Sequence, residues 1–158
     1  MGAAAKRGAT VEPDGGLGAM GAGPGSVGAD PWRGRRVLVV DDEKFIRVIL
    51  SRMLSELGLE VVGSAGDGRE AVEKCAALSP DIVTLDIAMP EMDGLAALRA
   101  IMARQPQVRV LMASSYGDPR LVAEAMRTGA RGYLTKPFDL AAIREKLDLM
   151  YAAPHPAA

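Results

Sequence analysis

The sequence predicts an α/β domain whose core is a doubly wound parallel sheet of five βα units. Three observations carry that expectation. Short, Val-rich apolar runs alternate with stretches of helical period. The runs are apolar almost throughout, as strands covered on both faces must be. Turn and cap residues stand at most of the junctions.

The elements follow in order. Arg36 to Val40 reads as a buried strand. Lys44 to Leu57 has apolar residues at Phe45, Val48, Ile49, Leu50, Met53, Leu54 and Leu57, which is helical spacing, and Gly58 ends it. Glu60 to Ala65 is a second strand. Asp67 with Glu70 three residues later resembles a capping box, opening a helix to Leu78 that Pro80 stops. Asp81 to Asp86 is a third strand. Asp93 caps a helix with Leu95, Leu98, Ile101 and Met102, and Pro106 follows. Val108 to Ala113 is the fourth strand. Asp118-Pro119 is an N-cap with proline at the first helical position, and the helix it opens stops at Gly129. Arg131 to Thr135 is the fifth strand. Asp139 caps a last helix with Leu140, Ile143, Leu147 and Met150. Right-handed crossovers then leave few topologies.

Composition differs outside this region. Residues 1–34 contain 10 Gly, 7 Ala and 3 Pro, with little to bury, and are expected to be disordered. Trp32 is their single aromatic; it either docks on the domain edge or stays in solvent. The tail 152–158 is also expected to be unstructured, and His155, between two prolines, carries no role there. The folded domain is thus expected at 35–151. Met20 is an alternative start.

With 19 basic and 20 acidic side chains, no basic excess argues for nucleic acid or an anionic membrane surface. No apolar run approaches the roughly 20 residues that span a bilayer. Lys6 and Arg7 precede a glycine-rich stretch where a signal peptide needs an apolar block, so a cytoplasmic location is expected. Cys75 lies on an apolar helix face with Ala71 and Val72 and reads as a small core residue.

In open α/β sheets, ligands bind beyond the carboxyl ends of the strands. Those ends carry Asp41-Asp42-Glu43, Asp86, Ser114-Ser115 and Lys136-Pro137. Singly, each has a plain reading: an Asp after a strand is a turn former, a Ser an ST-turn, a Lys a solvated end. Together at one edge they point to chemistry. Three carboxylates so close repel unless a cation joins them. Oxygen ligands select a hard ion, and cellular availability favours Mg2+. A carboxylate beside Mg2+, Lys136 and a hydroxyl is equipment for phosphoryl transfer to Asp86.

The runs Val-Leu-Val-Val-Asp-Asp-Glu (37–43), Asp-Ile-Val-Thr-Leu-Asp-Ile-Ala-Met-Pro-Glu-Met-Asp-Gly (81–94), Ala-Ser-Ser (113–115) and Gly-Tyr-Leu-Thr-Lys-Pro-Phe (132–138) resemble the response-regulator receiver family. The resemblance covers about residues 35–151. It implies the flavodoxin-like, CheY-type strand order 2-1-3-4-5. It implies that Asp86 accepts a phosphoryl group from a histidine kinase. Asp42, Asp86 and the Ala88 carbonyl would hold Mg2+, with Asp41 acting through a water. Ser114 would be the switch hydroxyl, Lys136 the phosphoryl partner and Tyr133 the switch aromatic. Lys136-Pro137 would be a cis peptide. Ala88 and Tyr116 stand where the family tunes phosphoryl lifetime; Ala88 has no polar group to orient water, so slow self-dephosphorylation is expected. Gly94 is either required by the backbone or merely tolerated at a helix start.

No output module follows the domain in this sequence, so the expected output is binding. Phosphorylation would shift a protein-binding face made by the fourth helix, fifth strand and fifth helix, with Arg120, Glu124, Arg127, Arg131, Tyr133 and Arg144. The only catalysis expected is of its own phosphorylation and dephosphorylation. Asp-Asp-Glu-Lys-Phe-Ile-Arg (41–47) with Pro-Asp-Ile-Val-Thr-Leu-Asp (80–86) looks most like CheY-type chemotaxis receivers. A phosphotransfer intermediate or phosphate sink is the alternative with the same site. A phosphorylation-independent interaction module is another, which the complete acidic set argues against. A small-ligand enzyme on this fold would need a phosphate cradle after the first strand, where Asp41-Asp42-Glu43 instead repels anions.

Overall fold

Residues 30–89, 92–115 and 118–152 are described in the computed structural model of the chain. The elements are β1 Arg36–Val40, α1 Lys44–Glu56, β2 Glu60–Ala65, α2 Gly68–Leu78, β3 Ile82–Asp86, α3 Gly94–Arg104, β4 Arg109–Ser114, α4 Pro119–Thr128, β5 Gly132–Thr135 and α5 Leu140–Ala152. All five strands are parallel, in the order β2-β1-β3-β4-β5. This is the doubly wound order that the resemblance implies. The chain starts in mid-sheet, steps outward to β2 and returns to β3, so strand order reverses between β1 and β3.

Alternation along each strand divides the core between the two faces. On β1, Val37 and Val39 pack with Leu50 and Leu54 of α1 and Ile143 and Leu147 of α5. Leu38 and Val40 pack on the other face with Ala71 and Cys75 of α2, Leu98 and Ile101 of α3, and Ala125 of α4. Cys75 is fully buried, and burial pushes its thiol up to about 11, which removes it as a nucleophile.

Three residues of the α1 pattern, Phe45, Val48 and the half-buried Ile49, do not join this core. Phe45 is 71% exposed and Val48 46% exposed. The helix turns about 100° per residue, so the side that buries Leu50 and Leu54 leaves Phe45 and Val48 on the opposite side. At the start of α2, the Asp67 carboxylate accepts from the Glu70 amide at 2.8 Å, but Glu70 Oε1 accepts from the Gly66 amide at 2.9 Å. The reciprocal bond of a capping box thus lands one residue early.

The packed unit begins at Trp32, three residues before the boundary that composition suggests. The Trp32 ring is fully buried among Val37, Leu54 and Leu147, and its Nε1–H donates to Asp148 Oδ1 at 2.9 Å. Of the two readings the sequence leaves open for Trp32, docking on the domain edge is the one the structure takes, although its glycine- and alanine-rich surroundings do not decide between them. Ala152, expected in the unstructured tail, is instead the last residue of α5. The expectations for residues 1–29, for Tyr116 and for 153–158 with His155 lie outside the described residues. Among the described residues, no helix is long and apolar enough to cross a membrane.

Candidate functional site

Level register brings the strand ends to one edge. Asp86, the last residue of β3, pairs with Ala113, and Ser114, the last of β4, pairs with Thr135. Asp41 and Asp42 follow β1 directly, and Lys136 follows β5. These ends surround an open cavity of about 200 Å³ lined by Asp42, Glu43, Asp86, Ala88, Ser114, Ser115 and Lys136. Asp41 lies beneath it, buried, with one carboxylate oxygen accepting from Lys136 Nζ at 2.6 Å and the other from the Glu43 amide at 2.9 Å. Lys136 Nζ is 3.5 Å from Asp86 Oδ2, and the Ala88 amide lies 3.4 Å from Asp86 Oδ1.

Electrostatics follows from that crowding. Asp86 is buried, and burial, then the Asp41 charge, push its carboxyl up to about 6 despite Lys136. Burial pulls the Lys136 ammonium down, but the Asp41 hydrogen bond and the Asp86 charge outweigh it, so the net shift is upward. Asp41, Asp42 and Asp86 each offer an oxygen, mutually within 4.8 Å. One ammonium does not compensate three carboxylates. An all-oxygen donor set short of positive charge fits a hard divalent cation such as Mg2+.

The loop after β3 is shaped by its backbone. The Gly94 amide donates to the Ile87 carbonyl at 2.7 Å. A Cβ at Gly94 would overlap the Asp86 carbonyl oxygen and sit 2.6 Å from Ile87 Cα. Glycine at this position is therefore a requirement of close approach, which answers what the sequence leaves open.

Other predicted residues lie further out. Tyr133 of β5, opposite Met112 of β4, packs half-buried on the core and does not line the cavity. The Lys136–Pro137 peptide is cis. Arg144 lies 5.3 Å over the Trp32 ring, so it belongs to the Trp32 contact rather than to the α4 side. Glu124 pairs with Arg99 of α3 at 3.2 Å. Met126 of α4 and Leu149 of α5 are exposed apolar residues that the charge pattern alone did not single out. Glu43 and Ser115 line the cavity without having been assigned a role; adjacency to Asp42 and Ser114 was the available signal. Arg47, which donates to the Asp41 carbonyl, reads in the sequence only as one more charge on a helix.

Residues 37–148 match the response regulator receiver domain family. The chain is 44% identical to the chemotaxis protein CheY of Thermotoga maritima over 115 residues, covering 73% of this chain and 96% of that protein. It is 42% identical to the chemotaxis protein CheY of Bacillus subtilis over 113 residues, covering 72% and 94%. Among solved structures, a chain of the CheX–CheY–BeF3–Mg2+ complex from Borrelia burgdorferi superposes with a TM-score of 0.73 at 36% identity, covering 75% of this chain and 90% of that one. Sequence, sheet order and the acidic edge agree: the chain belongs to the response regulator receiver domain family.

Proposed function

We propose that this protein is a phospho-accepting switch of a two-component pathway, with Asp86 taking a phosphoryl group from the histidine of a kinase. The observation that carries the reading is the buried Asp86 carboxylate at the cavity floor, 3.5 Å from Lys136 Nζ, with Ser114 in the same wall. In the step, the histidine N–P bond breaks and its electron pair stays on nitrogen, while an Asp86 oxygen forms the new P–O bond. Asp42, Asp86 and the Ala88 carbonyl would hold Mg2+, with Asp41 supporting them from below. When bound, Mg2+ supplies positive charge to the transferring oxygens. Lys136 neutralises a phosphoryl oxygen from the β5 side, and the Ser114 hydroxyl moves to hydrogen-bond another.

Movement of Ser114 draws on β4, and Tyr133 on β5 packs beside that strand. The switch would therefore reach the exposed surface of α4, β5 and α5, where a target protein binds. The near full-length likeness to two proteins named chemotaxis protein CheY supports a chemotaxis-type output. Incubation with acetyl phosphate and Mg2+, read by intact mass, tests the first step. One added phosphoryl group is expected, dependent on Mg2+ and absent in Asp86→Asn. A folded protein that gains none rules the switch out and leaves a phosphorylation-independent binding module.

A further inference from the structure

Arg47 does not touch the cavity, yet it holds the backbone from which two of the three carboxylates hang. Its Nη1 donates to the Asp41 carbonyl at 2.6 Å. The guanidinium faces Gly66 after β2, where an added Cβ would come within 3.3 Å of Nη1. Behind it stands Glu70, whose Oε1 accepts from the Gly66 amide at 2.9 Å and whose Oε2 pairs with Lys74 at 2.9 Å. Lys74 in turn donates to the Ser64 carbonyl at 2.6 Å. The Gly66 amide foremost, then Lys74, with Arg47 adding its charge, hold the Glu70 carboxyl below its ordinary range. Arg47 thus lies where the β1–α1 loop and the β2–α2 loop meet.

The Asp41 carbonyl and the Asp42 amide are two ends of one planar peptide unit. Fixing the first fixes the direction from which Asp42 leaves the backbone. Asp42 is the exposed member of the acidic trio, whereas Asp41 and Asp86 are buried beside Lys136. We infer that Arg47 is a positioning residue for Mg2+ binding, acting through the Asp41–Asp42 peptide. The inference rests on the reading of this edge as a Mg2+ site.

The sign of the effect separates positioning from charge. A guanidinium near a cation site repels the cation, so deleting it for charge alone tightens Mg2+ binding. Positioning predicts the opposite. Mg2+ alone is titrated calorimetrically into the full chain and into Arg47→Met, which keeps the apolar stem; circular dichroism and Trp32 emission check that each is folded. Arg47→Met is expected to bind Mg2+ about tenfold more weakly, at the lower end of what loss of an outer-shell partner costs. Arg47→Lys, which restores a donor, is expected within about threefold of the wild type on the same scale of outer-shell effects. Unchanged or tighter binding by Arg47→Met overturns the inference, as does Arg47→Lys binding no better than Arg47→Met. Should Arg47→Met not fold, Arg47→Leu, which likewise has no donor, reads the same loss. A wild-type chain that takes no Mg2+ overturns the metal reading too, and shows it before any substitution is made.

Discussion

Burial and the neighbouring Asp41 charge push the Asp86 carboxyl up to about 6, above the ordinary 3.8. A carboxyl raised on folding contributes stability that is present below its unfolded value and lost as pH rises through its folded value. In EDTA at pH 7.5, ionised Asp86 therefore destabilises the fold, and Asp86→Asn is expected to be more stable than wild type by about 3 kcal/mol. The advantage should shrink towards zero near pH 4. Urea midpoints of the two proteins at both pH values measure it, and equal stability at pH 7.5 would show the acidic pocket to be compensated without metal. Ala88, beside the same carboxylate, bears on the lifetime of the phosphoryl group. Its methyl group cannot orient a water, so Ala88→Asn is expected to speed the decay of phospho-Asp86, followed by intact mass over time. An unchanged decay rate removes Ala88 as a lifetime determinant.

Gly94 joins two elements rather than belonging to one. The first turn of α3 rests on the backbone of Asp86 and Ile87, and a methyl group has no room there. Gly94→Ala is expected to cost about 1–3 kcal/mol by overpacking, and to slow phosphorylation because the acceptor's own carbonyl must shift. Chemical denaturation and the acetyl phosphate reaction measure the two effects. Loss of stability with an undisturbed reaction would mean that the shift is absorbed by α3. The Asp caps of α2, α3, α4 and α5 are local and visible in the sequence, and each accepts from the amide two or three residues on.

Trp32 shows how far the packed unit extends beyond the matched family residues 37–148. The ring fills space between the sheet and the helices α1 and α5, under Arg33 and Arg144. Trp32→Ala is expected to cost about 3–5 kcal/mol, read by circular dichroism during urea unfolding. A cost below about 1 kcal/mol would place the ring outside the cooperative core. Being the single tryptophan of the chain, Trp32 also reports global unfolding of the wild type by its emission.

The five βα units, their caps and the strand-end residues could be read from the sequence because each depends on local pattern. Apolar runs, 3.6-residue periodicity and turn residues act within a few positions of themselves, and parallel strands put their ends on one edge by topology alone. Asp41, Asp42, Asp86, Ser114 and Lys136 were legible for that reason. What depends on a distant partner was not. Phe45 and Val48 match the helical period, but only the placement of α1 on the sheet decides which side is buried. Trp32 needed α5, Gly94 needed the backbone of Asp86, and Arg47 needed the Asp41 carbonyl. Local pattern thus determines elements and their ends, while contacts made across sequence distance decide burial, close approach and charge.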